Sequence, residues 1–261
     1  MPNRLPSTLL LLASALLAAC SSQPPATDAG YERLMHLAGD LQKRGDNASA
    51  AALYENAAQQ PGSHPEAWLK LGETALAGGD ARAAERAYQQ ALQARPNDAD
   101  ALLGLGSAQL RLGKLERAVT ALTQAAERGD QPAAWNRLGV AQILRGQASA
   151  AQAAFAKSLA LAPDDLDSRC NLALAYALDG QAQRALDSLR PVGQSPRALP
   201  RHQRNMLLVT VLAGHEQDVS GLALDDLSAD ERQALLAEAR RIKALPDAQA
   251  QARALGLVDG R

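Results

Sequence analysis

Aromatic residues are scarce in this chain: two tryptophans, four tyrosines and one phenylalanine, 3% of the sequence. Hydrophobic residues nonetheless make up 47%, and alanine and leucine dominate them. That mix suits closely packed helices. No alternating apolar–polar run of useful length is present, so strands are not expected. Neither charge sign is in excess: the net charge is −1, with both signs scattered, which argues against a nucleic-acid surface. Long apolar runs are also missing. The longest, Leu9 to Ala19, is too short to span a bilayer core of ~30 Å. Cysteine is limited to Cys20 and Cys170.

The signatures of chemistry are absent as well. No Gly-x-Ser-x-Gly elbow and no phosphate-cradling glycine loop occurs. The histidines are His36, His64, His202 and His215. No two of them stand at i, i+4 with an acidic neighbour, so a zinc site has no support. The acidic run Asp164-Asp165-Leu166-Asp167-Ser168 lacks the glycine and final glutamate of a calcium loop. It follows Pro163, where Asp and Ser suit the cap of a helix. Catalysis, a metal and a cofactor are therefore not expected.

What the chain does contain is a period. Trp68, Leu71, Gly72, Ala84, Tyr88, Ala91 and Pro96 are followed by Trp135, Leu138, Gly139, Ala151, Phe155 and Pro163 at matching intervals. Windows at 31–64, 99–131 and 166–199 fit the same frame, and a window from Pro200 fits only in its first half. The period is about 34 residues, and the spacing resembles that of the tetratricopeptide (TPR) repeat. Each repeat is then two antiparallel helices, A and B. Gly45, Gly79, Gly113, Gly146, Gly180 and Gly214 mark the turn between them, where a positive φ is required. Small residues such as Gly72, Gly106 and Gly139 let helices approach, and Trp68, Tyr88, Trp135 and Phe155 fill the space between them. One repeat cannot bury its apolar face alone; stacking does so.

The expected fold is therefore an all-α TPR solenoid over residues 31–226, with five clear repeats and a degenerate sixth. A capping helix and tail follow at 227–261. Ser228-Ala-Asp-Glu231 reads as a capping box. Leu235, Ala239, Ile242 and Leu245 follow at helical spacing and suit a cover for the last apolar face.

The TPR resemblance implies that helix A lines a concave face. Its register places Met35, Leu69, Leu76, Leu103, Leu110, Val140, Ile143, Leu174, Leu178 and Leu208 in the groove. Glu73, Ser107, Asn136, Cys170, Arg204 and Val211 share that register. The groove is more apolar than charged. Some TPR modules clamp a carboxylate with basic residues here; this chain holds Met35, Gly39 and Asn171 at those positions. An amphipathic helix or apolar peptide is the expected ligand.

Residues 1–19 read as a leader, with Arg4 ahead of the short apolar run. Leu17-Ala18-Ala19-Cys20 resembles a bacterial lipobox. The resemblance implies cleavage before Cys20 and acylation of its sulfur, and Ser21 after it favours the outer membrane over the inner. Residues 20–30 then form the lipidated cysteine and a flexible tether. With Cys20 lipidated, Cys170 is left as a lone thiol, expected to be a small buried hydrophobe.

The segments Asn171–Gly180 (NLALAYALDG) and Arg204–Gly214 (RNMLLVTVLAG), then Asp226-Leu227-Ser228, resemble the carboxy-terminal part of TadD-type lipoproteins of Flp/Tad pilus systems. That resemblance implies a non-catalytic lipoprotein at the periplasmic face of the outer membrane. Its partner would be a secretin, which it helps to localise or assemble as a pilotin. The alternatives are a TPR lipoprotein of another envelope system (a type IV pilus pilotin or outer-membrane protein assembly) and an adaptor for periplasmic peptidoglycan enzymes or proteases.

Overall fold

A computed structural model describes residues 26–62 and 64–255. The leader, Cys20 and residues 20–25 of the expected tether lie outside the described residues. Residues 26–30, also expected as tether, are helical: α1 (Ala26–Lys43) opens at Ala26. Ala26 and Ala29 favour helix there, and no proline follows Pro25 until Pro61.

The repeats come as helix pairs. The first is α1 with α2 (Asn47–Ala58), the second α3 (Pro65–Ala77) with α4 (Ala81–Ala94), and the third α5 (Ala99–Arg111) with α6 (Leu115–Gly129). The fourth is α7 (Pro132–Leu144) with α8 (Ala148–Leu161), and the fifth α9 (Leu166–Leu178) with α10 (Ala182–Gly193). Helix α11 (Pro200–Leu212) starts a sixth pair, but a 3-10 helix (Glu216–Gly221) stands where its B helix would be. The degenerate pattern after His215 is thus a real loss of structure. Then come α12 (Ala229–Lys243) and α13 (Ala248–Ala254). No strand occurs among the described residues.

The sequence states where these helices begin. Asp46, Asp80, Asp98 and Asp165 cap α2, α4, α5 and α9, each accepting from backbone N–H groups two or three residues on. Pro65, Pro132 and Pro200 open α3, α7 and α11, where the missing N–H is no loss. The six turn glycines all adopt positive φ, between 68° and 89°.

The core is a chain of clusters rather than a ball. The largest joins Leu110, Leu122, Leu138, Val140, Ile143, Leu144 and Phe155 across the third to fifth repeats. Each B helix packs against its own A helix and the next one. Helices α3, α5, α7, α9 and α11 also touch one another in series, whereas the B helices make no comparable contacts with one another. The A helices are therefore the closer-spaced layer, and they form the concave side.

Helix α12 closes the far end. Ser228 and Glu231 form the expected capping box. Leu235, Leu236 and Ala239 pack over Leu207, Val211 and Leu227. Arg204 on α11 reaches Glu231 at 3.3 Å, and Arg240 pairs with Glu216. This helix gives the last repeat the cover that a following repeat would supply.

Candidate protein-binding groove

Ten residues were expected to line the groove, and the structure divides them evenly. Met35, Leu76, Leu103, Leu178 and Leu208 are half-buried, with part of each side chain facing solvent. Leu69, Leu110, Val140, Ile143 and Leu174 are buried, so they do not line an open surface. The register assumes that each of these A-helix positions faces solvent. Two kinds of contact remove that surface. Leu69 is packed between repeats, with Tyr88 and Ala101. Val140 and Ile143, 4% and 2% exposed, lie in one cluster with Ala252 of α13. Helix α13 folds back onto the A-helix layer.

Over α7 and α9 the groove is covered by α13. On either side half-buried positions remain: Met35, Leu76 and Leu103 toward α1, α3 and α5, and Leu178 and Leu208 toward α11. Leu76 packs at the edge of the Tyr88 cluster, and Leu103 bridges the two clusters centred on Leu102 and Leu138. The covered and half-buried stretches differ because α13 is only long enough to cross two helices.

Polar residues of the same register are tied up internally. Asn136 donates through Nδ2 to Ser168 Oγ at 2.5 Å and accepts at Oδ1 from Asn171 at 3.3 Å. Ser168 Oγ in turn donates to Asp165 Oδ2. The acidic run at 164–168 is thus a helix cap and anchor, as its sequence suggests. Asp164 lies 3.4 Å from Arg197, and Asp167 takes two hydrogen bonds from Arg201.

His202, buried at 3% exposure, accepts at Nδ1 from the backbone N–H of Leu199 at 2.9 Å. Its Nε2 therefore carries the proton and donates to Asp167 Oδ1 at 3.0 Å. Arg201 first, and His202 after it, hold the Asp167 carboxyl below the usual range. Arg201 and Arg204, at the start of α11, have carboxylate partners within the chain.

Sequence reasoning missed Arg137, one residue after Asn136. Its side chain keeps an exposed face, while crowding by neighbouring protein atoms, then repulsion from Arg111 on α5, lowers its pKa and Asp167 on α9 opposes both. Nothing in the linear pattern brings Arg111, Arg137 and Asp167 together, because they belong to three successive repeats. Cys170, free and 1% exposed, packs beneath the groove with Leu174 and Ala177. Burial, and then the nearby Asp167 carboxylate, push its thiol up to about 12.

No group of three or more His, Cys, Asp or Glu side chains placed to hold a metal occurs among the described residues. No helix among them is long and apolar enough to cross a membrane. A second concavity of about 880 Å³ lies between α2 and α4, floored by Trp68, Leu71 and Thr74.

The tetratricopeptide-repeat profile matches residues 37–99, 69–133 and 103–165 in overlapping windows. No curated protein matches the chain. Among solved structures, PilW, a widely conserved type IV pilus biogenesis factor, is similar with a TM-score of 0.68 and 20% identity, covering 78% of this chain and 98% of that one. The pilF protein of Pseudomonas aeruginosa gives 0.64 at 19% identity, covering 81% and 99%. TTC0263, a thermophilic TPR protein of Thermus thermophilus, gives 0.55 at 24% identity, covering 68% and 99%. At these identities the likeness is one of fold. The matched repeats, the paired helices and the periodic glycine turns agree: the chain folds as an all-helical tetratricopeptide-repeat solenoid, with the family's repeats matched over residues 37–165.

Proposed function

We propose that this protein is a non-catalytic scaffold at the periplasmic face of the outer membrane, anchored through acylated Cys20. It seats an amphipathic or apolar segment of a secretin during Flp/Tad pilus biogenesis, acting as a pilotin. The observation that carries the binding role is the A-helix layer, where Met35, Leu76 and Leu103 stay half-buried on three successive repeats. Lipid attachment rests on Leu17-Ala18-Ala19-Cys20, and the pilus system on the resemblance around 171–180 and 204–214.

A second reading has its own support. Similarity to PilW extends over 98% of that chain, which favours a role in a type IV pilus system. Both readings place a helix or apolar peptide in the same groove and differ only in the secretin.

The test is retention of secretin from membrane extracts on immobilised protein, comparing wild type with the double variant Leu76→Glu, Leu103→Glu. Both side chains are half-buried, so the fold tolerates the change better than at Leu174, and circular dichroism checks helicity. Expected is at least a tenfold loss of the secretin. Equal retention by a helical double variant removes the groove from the account. Parallel extracts carrying a Tad-type or a type IV secretin separate the two readings.

A further inference from the structure

The chain's last described helix behaves as a ligand of its own groove. After α12 the backbone turns at Pro246 and Asp247. Asp247 caps α13 by accepting from the Ala250 N–H at 2.7 Å. Gln251 fastens the turn, donating to the carbonyls of Lys243 at 3.2 Å and Leu245 at 3.4 Å. Helix α13 then lies against α7 and α9.

Gln249 and Ala252 of α13, and Leu255 just after it, make the contact, spaced three apart. Gln249 Nε2 donates to the Leu144 carbonyl at 3.0 Å, one of the last carbonyls of α7, which no following helical turn satisfies. Ala252 is fully buried, in the cluster that also holds Val140, Ile143 and Leu172 of α7 and α9. Leu255 packs against the cluster that holds Cys170 and Leu174 of α9. The small residue sits at the crossing, where a larger one would hold the helices apart. An amide at one end and a leucine at the other fix direction and register.

This helix is poorly equipped to hold its place alone. It has seven residues, far below the ~12–15 at which an isolated helix becomes even marginal in water. Beyond α12, its main contacts on the solenoid are with α7 and α9. Segments with few buried contacts open well below the energy of global unfolding.

We propose that the concave surface of α7 and α9 is a seat for a short helix of the pattern amide–x–x–alanine–x–x–leucine. In the free protein α13 fills it. A partner helix of the same pattern binds by taking α13's place. The proposal rests on the helix-in-groove reading above and adds the partner's chemistry. Because α13 is tethered, its effective concentration at the seat is high, on the order of millimolar. Partner affinity is reduced by the fraction of molecules whose seat is closed.

The experiment titrates a fluorescent peptide of residues 245–257 (LPDAQAQARALGL) against the full chain and two variants. Ala252→Glu places a carboxylate where no room or partner exists, and Gln249→Ala removes only the bond to Leu144. Expected is binding at least tenfold tighter to Ala252→Glu than to wild type, and about threefold tighter to Gln249→Ala. A peptide that itself carries Ala252→Glu should bind none of them. Hydrogen exchange should show lost protection at the end of α7 in Ala252→Glu.

Equal binding to all three proteins, or to none, overturns the proposal. Should Ala252→Glu lose helicity, Gln249→Ala carries the decision by the same criterion. If the peptide discriminates but secretin retention ignores Leu76→Glu, Leu103→Glu, the seat stands and the pilotin reading falls. If the peptide fails to discriminate while secretin retention responds, the reverse holds.

Discussion

Phe155 leaves Gly139 no room for a side chain: an ideal Cβ there would lie 2.5 Å from the ring. Phe155 is fully buried, so the ring has nowhere to move. The same arrangement recurs between Gly72 and Tyr88 at 2.7 Å and between Gly106 and Leu122 at 2.5 Å. The glycine of helix A is thus a socket for the large residue of its own helix B. Tyr88 also fills the next repeat's space, where its ring would overlap an ideal Cβ on Gly104.

Gly139→Ala is therefore expected to destabilise. Overpacking costs about 1–3 kcal/mol, and the gain in helix propensity offsets about 1 kcal/mol of it. Gly30→Ala, in α1 with open space around it, should instead stabilise by up to about 1 kcal/mol. Urea midpoints of the two variants against wild type check both signs. Two variants that both stabilise would contradict the socket.

Acid should weaken the junction between the fifth and sixth repeats. The Arg201 guanidinium, then His202, hold the Asp167 carboxyl below its ordinary value. A carboxylate depressed in the folded state adds stability above its unfolded pKa, near 3.9. It loses that contribution as pH falls through the folded value. Asp167→Asn should lower the urea midpoint at pH 7, and the gap to wild type should close below about pH 4. A gap constant from pH 7 to pH 3 would show that the ion pairs contribute nothing.

Cys170 should resist alkylation in the folded protein. A thiol pushed up to about 12 has a thiolate fraction on the order of 10³ below that of a free cysteine near 8.5, and the thiolate is the reactive form. Iodoacetamide at pH 8, followed by mass spectrometry of the peptide containing Cys170, should show label only after unfolding. Rapid native labelling would mean that α9 is open to solvent.

Cys20→Ala should move the protein out of the outer-membrane fraction. A sucrose-gradient fractionation reads the result directly, and unchanged sedimentation with the outer membrane removes the lipid anchor from the account.

Much of the fold was legible in the sequence because each repeat carries its own instructions. Asp caps, prolines at the first helical position, turn glycines and the glycine–aromatic pairs are local or nearly so. The capping box at Ser228 and Glu231 was readable for the same reason, and so was the failure of the sixth B helix. The groove was legible only as a register. Periodicity placed Val140 and Ile143 on the A-helix face, but it could not reveal that Ala252 lies on top of them. Likewise the register places Asn136 in the groove, and its bonds to Ser168 and Asn171 belong to the next repeat.

The sequence by itself determined the helix pairs, their boundaries and their order, since these depend on contacts within about 34 residues. The tertiary structure alone decided which part of the concave face is open. Gln249 meets Leu144 across 105 residues, and no period or cap in the chain encodes a contact between a tail and a surface built from several repeats. That contact exists because the stacked A helices create an apolar surface that no single repeat possesses, and a short alanine-faced helix is near enough to cover it.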